Sequence, residues 1–105
     1  MRTEASLPDK RPVLVFFTSS RSGPARRMES LLAHITVKNR DFLHVKKVDI
    51  DERPDIAESF KISEVPSLVL IKGKRVVARL EGRSTAPTIE SMIDEHTRDS
   101  EPAVA

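Results

Sequence analysis

The feature that most constrains this chain is a change of period around Gly23-Pro24. Before it stands Val13-Leu14-Val15-Phe16-Phe17, an unbroken apolar run rich in β-branched and aromatic residues and led by Pro12. A run of that length without polar alternation suits a strand buried on both faces. Thr18-Ser19-Ser20-Arg21-Ser22-Gly23-Pro24 then forms a polar loop of turn and capping residues. From there Ala25, Met28, Leu31, Leu32 and Ile35 recur at spacings of three and four, marking one face of a helix that fades near Asn39. Ser22 is placed to cap this helix, and Pro24 falls in its first turn, where a missing N–H costs little.

The remaining elements follow the same logic. Phe42 to Asp49 reads as a second strand with Leu43, Val45 and Val48 as its apolar residues. Asp51 to Pro54 open a short helix through Phe60, with Ile56, Ala57 and Phe60 on one face. Glu64-Val65-Pro66 leads into a third strand, Ser67 to Ile71, and Lys72-Gly73-Lys74 turns into a return strand from Arg75 to Leu80. Alternation there predicts Val76, Ala78 and Leu80 on one side and Val77 on the other. Thr85 and Pro87 open a last helix with an apolar stripe of Ile89, Met92 and Ile93. The order β-α-β-α-β-β-α, with a parallel crossover first and an antiparallel hairpin last, predicts an α/β fold: a four-stranded mixed sheet with helices on both faces. The domain is expected over residues 12–98. Residues 1–11 are expected to be partly ordered, and the polar tail 99–105 is expected to be disordered.

Composition narrows the function. At 105 residues, 38% apolar and 32% charged, the chain suits one soluble globular domain. The absence of cysteine excludes disulfides, thiolate metal sites and thiol nucleophiles together. A formal charge of +2, with basic residues interspersed among acidic ones, gives no reason to expect a nucleic-acid or membrane partner. Met1 to Leu7 lacks the apolar stretch of a signal peptide, and no apolar run is long enough for a bilayer, so a cytoplasmic protein is expected.

Four segments in order carry a family resemblance. Ser22-Gly23-Pro24-Ala25, after a buried strand and at the start of a helix, resembles the Cys-Gly-Pro-Cys of the thioredoxin family. Val48-Asp49-Ile50-Asp51-Glu52-Arg53-Pro54 is similar to that family's second strand and the approach to its next helix. Val65-Pro66-Ser67-Leu68 resembles its Ile-Pro-Thr-Leu segment, whose proline peptide is cis and faces the active site. Gly73 and Gly82 match glycines of the hairpin turn and of the approach to the last helix. The resemblance runs from Pro12 to about Thr97 and implies the thioredoxin fold in its minimal form, because the family's first strand and helix are mostly missing from the sequence.

The departures decide the chemistry. Ser22 and Ala25 stand at the two cysteine positions, Arg21 replaces the usual tryptophan, and Phe16 replaces a buried aspartate that assists proton transfer in typical thioredoxins. Lys47 matches a lysine near that aspartate but lacks this partner. Thiol–disulfide exchange needs an attacking thiolate and a resolving thiol, so no enzyme activity of this kind is expected. A serine nucleophile needs a positioned base, and the histidines are remote: His34 lies about three turns down the helix, while His44 and His96 belong to other elements. No histidine pair has metal-ligand spacing, and Asp49, Asp51 and Glu52 lack the glycine and distal glutamate of a calcium loop, so neither metal nor other cofactor is expected. The expected role of these acids is to flank a helix start.

Binding remains. The resemblance implies that the backbone of the residue before the cis proline pairs with an extended peptide, which gives Arg21, Ser22, Gly23, Pro24, Val65 and Pro66 as candidate peptide-binding residues. Arg21, Arg26 and Arg27 surround a helix start, where cations oppose the dipole, and are candidates for contact with an anionic group. Without a first strand, the strand from Leu43 to Asp49 becomes a sheet edge unless Thr3 to Leu7 folds back over it, and an open edge invites a homodimer. The leading expectation is a non-catalytic protein- or peptide-binding module. One alternative is a thioredoxin-type disulfide oxidoreductase of cell redox homeostasis whose cysteines have been exchanged for Ser and Ala. Another is a structural or oligomerisation domain that works through its edge strand.

Overall fold

The computed structural model describes residues 11–98. The expectations for Thr3 to Leu7 and for the tail 99–105 lie outside the described residues. Along the chain run β1 (Val13–Thr18), α1 (Gly23–Lys38), β2 (His44–Asp49), α2 (Pro54–Ser59), β3 (Ser67–Lys72), β4 (Arg75–Glu81) and α3 (Ala86–Arg98). The strands form a single mixed sheet in the order β2-β1-β3-β4. β1 pairs parallel with β2 and antiparallel with β3, and β3 pairs antiparallel with β4.

The apolar run is central because it is needed on both sides. Leu14 and Phe16 of β1, with Leu68 and Leu70 of β3, pack against Met28, Leu32 and Ile35 of α1 and Ile89, Met92 and Ile93 of α3. Val15, Phe17 and Val69 point the other way, towards Ile56 and Ala57 of α2 and Phe60 at its C-cap. Phe17 and Phe60 meet with ring centroids 5.6 Å apart in a tilted arrangement, a favourable geometry for two aromatic rings. Helices therefore cover both faces, as the sequence predicts.

Local termini are satisfied by nearby groups. α1 ends where both the backbone N–H and the side-chain Nδ2 of Asn39 donate to the Ile35 carbonyl. α2, at six residues, is too short to hold itself in water. Just past its end, the carbonyls of the C-cap Phe60 and of Lys61 accept from the Arg79 guanidinium of β4, and Lys61 leads the chain away through the left-handed region at φ 57°.

Two expectations need correction. β2 begins at His44 rather than Phe42, because the turn that follows α1 takes up Phe42, whose N–H donates to the Asn39 carbonyl. Phe42 is 55% exposed, whereas Leu43 is buried just ahead of the strand. In β4 the register slips so that Leu70 faces Ala78 while Ile71 faces Val76. This bulge leaves Val77 as the extra residue and shifts the alternation by one. Val77 packs with Ala78 and Leu80 on the α1/α3 side, and Val76 is exposed instead.

Candidate functional site

Phe17 and Ser67 are paired across the sheet, so the loop that follows β1 and the loop that precedes β3 leave the sheet side by side. This brings Arg21, Ser22, Gly23 and Pro24 to the same end of the molecule as Val65 and Pro66.

The first loop is held by hydroxyls and by an acid from another connection. Ser22 is half-buried with an extended backbone, and its Oγ accepts the Ala25 N–H at 3.1 Å, an N-cap. Its own N–H donates to the Ser19 carbonyl at 3.0 Å. The Ser19 hydroxyl accepts the Arg21 N–H at 3.1 Å and donates to Asp51 Oδ2 at 2.6 Å. Asp51 in turn donates its N–H to Asp49 Oδ1 at 2.8 Å, and Ile50 donates its N–H to the Thr18 carbonyl at 2.9 Å. Asp51 is thus a positioning residue for this loop. Sequence reasoning gave it only a helix-flanking role, and no local signal could have paired it with Ser19, 32 residues away.

The second loop is held from the side of β4. The Val65–Pro66 peptide is cis. Pro66 is buried and its carbonyl accepts the Gly82 N–H at 2.8 Å. Gly82 has φ 85°, a conformation that L side chains rarely adopt. The Ser67 hydroxyl donates to the Glu64 carbonyl at 2.7 Å. Val65 is half-buried and lies outside the strand ladder, and among the described residues its N–H and C=O enter no turn or loop hydrogen bond.

Beneath these loops the layer is apolar. Ala25 and Phe16 are buried, at 0% and 2% exposure. Lys47 is not left alone: its Nζ lies 3.8 Å from Glu29 Oε1 on α1, with both side chains substantially exposed. This pair forms one wall of a groove of about 330 Å³ floored by Phe16, Leu32 and Val45. Among the described residues the buried polar side chains are Thr18, Ser19 and Ser67, all at the site end of the sheet. Ser19 and Ser67 are hydrogen-bonded, whereas the Thr18 Oγ1 has no partner among the described residues.

Arg21, Arg26 and Arg27 are exposed at the start of α1. Asp49, Asp51 and Glu52 do not converge, and among the described residues no group of three or more His, Asp or Glu side chains is arranged to hold a metal ion. No helix among the described residues is long and apolar enough to cross a membrane. Among the described residues β2 lies at one edge of the sheet, with Lys46 and Lys47 exposed on it.

The profile of the family described as Thioredoxin matches residues 3–95. A thioredoxin of Alicyclobacillus acidocaldarius is 31% identical over 90 residues, 86% of each chain. A thioredoxin-like protein of Synechocystis is 38% identical over 72 residues, 69% of each chain. Among solved structures, thioredoxin-2, a component of the malaria parasite protein secretion machinery, superimposes with a TM-score of 0.81 at 17% identity, over 85% of this chain and 86% of that one. The germline-specific thioredoxin Deadhead of Drosophila melanogaster gives a TM-score of 0.78 at 23% identity, over 83% of this chain and 82% of that one. At these identities the two structures establish the shared fold.

Proposed function

The chain belongs to the thioredoxin family, and from that premise we propose that it binds an extended protein or peptide segment without acting on it. The observation that carries this reading is the backbone of Val65, whose N–H and C=O enter no turn or loop hydrogen bond among the described residues, beside the cis Pro66 and at the same end of the sheet as the loop of residues 22–25. An unpaired N–H and C=O at the end of a sheet can take up a strand from another chain through main-chain hydrogen bonds. The chemistry of the family is missing at the same place: Ser22 spends its hydroxyl as a helix cap, Ala25 is a buried methyl, and the chain has no cysteine. No base is hydrogen-bonded to Ser22 among the described residues, so the hydroxyl has no route to become a nucleophile.

The test is an amide-shift titration of the isotope-labelled chain with extended peptides selected from a random library. Binding at this site moves the amides of Ser22, Val65 and Ser67 and leaves those of Asn39 and His44, at the far end, unmoved. Shifts confined to the far end, or to β2, would sink the reading.

A second reading is supported by how completely the loop geometry is kept: the Ser22 cap, the cis proline and Gly82 all hold their places around two positions that lack thiols. On that reading the chain is a thioredoxin-type oxidoreductase whose cysteines were exchanged for Ser and Ala. A third use, homodimerisation through the β2 edge, would appear as a concentration-dependent dimer in sedimentation that Val45→Asp abolishes.

A further inference from the structure

The binding reading leaves open what kind of segment Val65 takes up, and the charges around it are informative. Among the described residues Arg21, Arg26 and Arg27 have no ion-pair partner. The first turn of α1 holds no acidic residue, although a carboxylate there would be favoured by the helix dipole. Cations gathered at the positive end of a helix oppose folding, so the cluster is not explained by the stability of α1. Arg27 adds a geometric detail. It sits one turn into the helix, yet its guanidinium folds back over the start, where a Cβ on Gly23 would lie 3.5 Å from Nη1. On the other flank of Val65 the charges are mixed: Glu64 precedes it, with carboxylate oxygens 3.7 Å from where a side chain on Gly82 would begin, and the exposed Arg83 follows Gly82. An arriving strand therefore meets unpaired positive charge on its α1 side, whereas on its Gly82 side Glu64 and Arg83 carry opposite charges.

We propose that the segment taken up at Val65 is an acidic peptide, with Asp or Glu side chains turned towards α1 and held by Arg21, Arg26 and Arg27. This rests on strand addition at Val65. Guanidinium groups bind carboxylates through paired, charge-assisted hydrogen bonds, so the cluster sets the composition of the segment.

The experiment selects a random peptide library on the full chain. The best binder is then compared, by fluorescence anisotropy, with a copy in which every Asp and Glu is replaced by Asn and Gln. Both are measured on the parent chain and on the variant Arg21→Gln/Arg26→Gln/Arg27→Gln, at low and high salt. These arginines are exposed, so the variant is expected to fold, and circular dichroism checks it. The selected peptides are expected to be rich in Asp and Glu, and the amide copy is expected to bind about tenfold more weakly to the parent. The triple variant should lose the same factor, and the gap should close as salt screens the charges. Neutral or basic selected peptides, or equal affinity for the two copies, would overturn the acidic assignment while leaving strand addition at Val65 intact. A single-stranded oligonucleotide that binds more tightly than the acidic peptide would also overturn it. If the library yields no binder at all, the peptide reading itself fails and takes this proposal with it.

Discussion

The loop at the end of β1 and the layer beneath it have diverged in opposite ways from what the family would place there. In the loop the shape is kept and the reacting atoms are gone: Ser22 caps α1, Ala25 is buried, and the neighbouring proline is cis. In the layer beneath, the polar group itself has been lost. Phe16 stands where the family has a buried acid, packed in the apolar cluster between the sheet and α1. Lys47, which by resemblance matches the family's lysine, lies instead 3.8 Å from Glu29 on the outside of α1. The contrast teaches that the two parts of a redox site are separable. On the proposed reading the loop's geometry also presents Val65 and the start of α1 to a partner and so keeps a use without thiols, whereas a buried acid without proton transfer to assist is only a desolvation cost.

The largest effect should come from putting charge back into the lower layer. Phe16→Asp buries a carboxylate among Met28, Leu32 and Leu68 and removes a packed ring, and is expected to cost about 3–5 kcal/mol in chemical denaturation. A loss below about 1 kcal/mol would mean that Lys47 swings in to meet the acid and that the layer still tolerates a polar pair.

Next comes the tether of the loop. Asp51→Ala removes the acceptor of the nearly buried Ser19 hydroxyl and should cost about 1.5–3 kcal/mol, the usual range for a hydrogen bond to a charged group. Amide exchange at Arg21 and Ser22 should speed up while that of β3 stays slow. Unchanged exchange in the loop would show that the Ser22 cap alone maintains its shape. Smaller and opposite in sign is Thr18→Val, which replaces an unpartnered buried hydroxyl by a methyl of similar shape and should raise stability by about 1 kcal/mol. A loss of stability there would mean that the hydroxyl serves a bound group at the base of the loop.

Much of the fold could be read in advance because its signals are local and repeated. The run of residues 13–17 demanded cover on both faces, and the spacing of Met28, Leu32 and Ile35 named the helix that supplies it on one of them. Ser22 was legible as a cap from its place before Gly23-Pro24. Val77 was misplaced because a bulge depends on how β4 meets β3, which alternation within β4 does not encode. Phe42 was misplaced because an apolar side chain in a turn looks like the first residue of a strand. The bond between Ser19 and Asp51 and the ion pair between Lys47 and Glu29 were hidden for a different reason: each joins residues from separate elements, and neither leaves a mark in the local pattern.

The measurement that bears most directly on the central claim is insulin reduction by the parent chain and by the double variant Ser22→Cys/Ala25→Cys, each shown to be folded. The start of α1 would still favour a thiolate at the first of these positions, so the variant tests whether geometry alone suffices. With Phe16 in place of the acid and Arg21 at the rim, the account predicts that both proteins leave insulin at close to the uncatalysed rate. Efficient turnover by the double variant would contradict it, and would mark the site as a disulfide oxidoreductase lacking only its thiols.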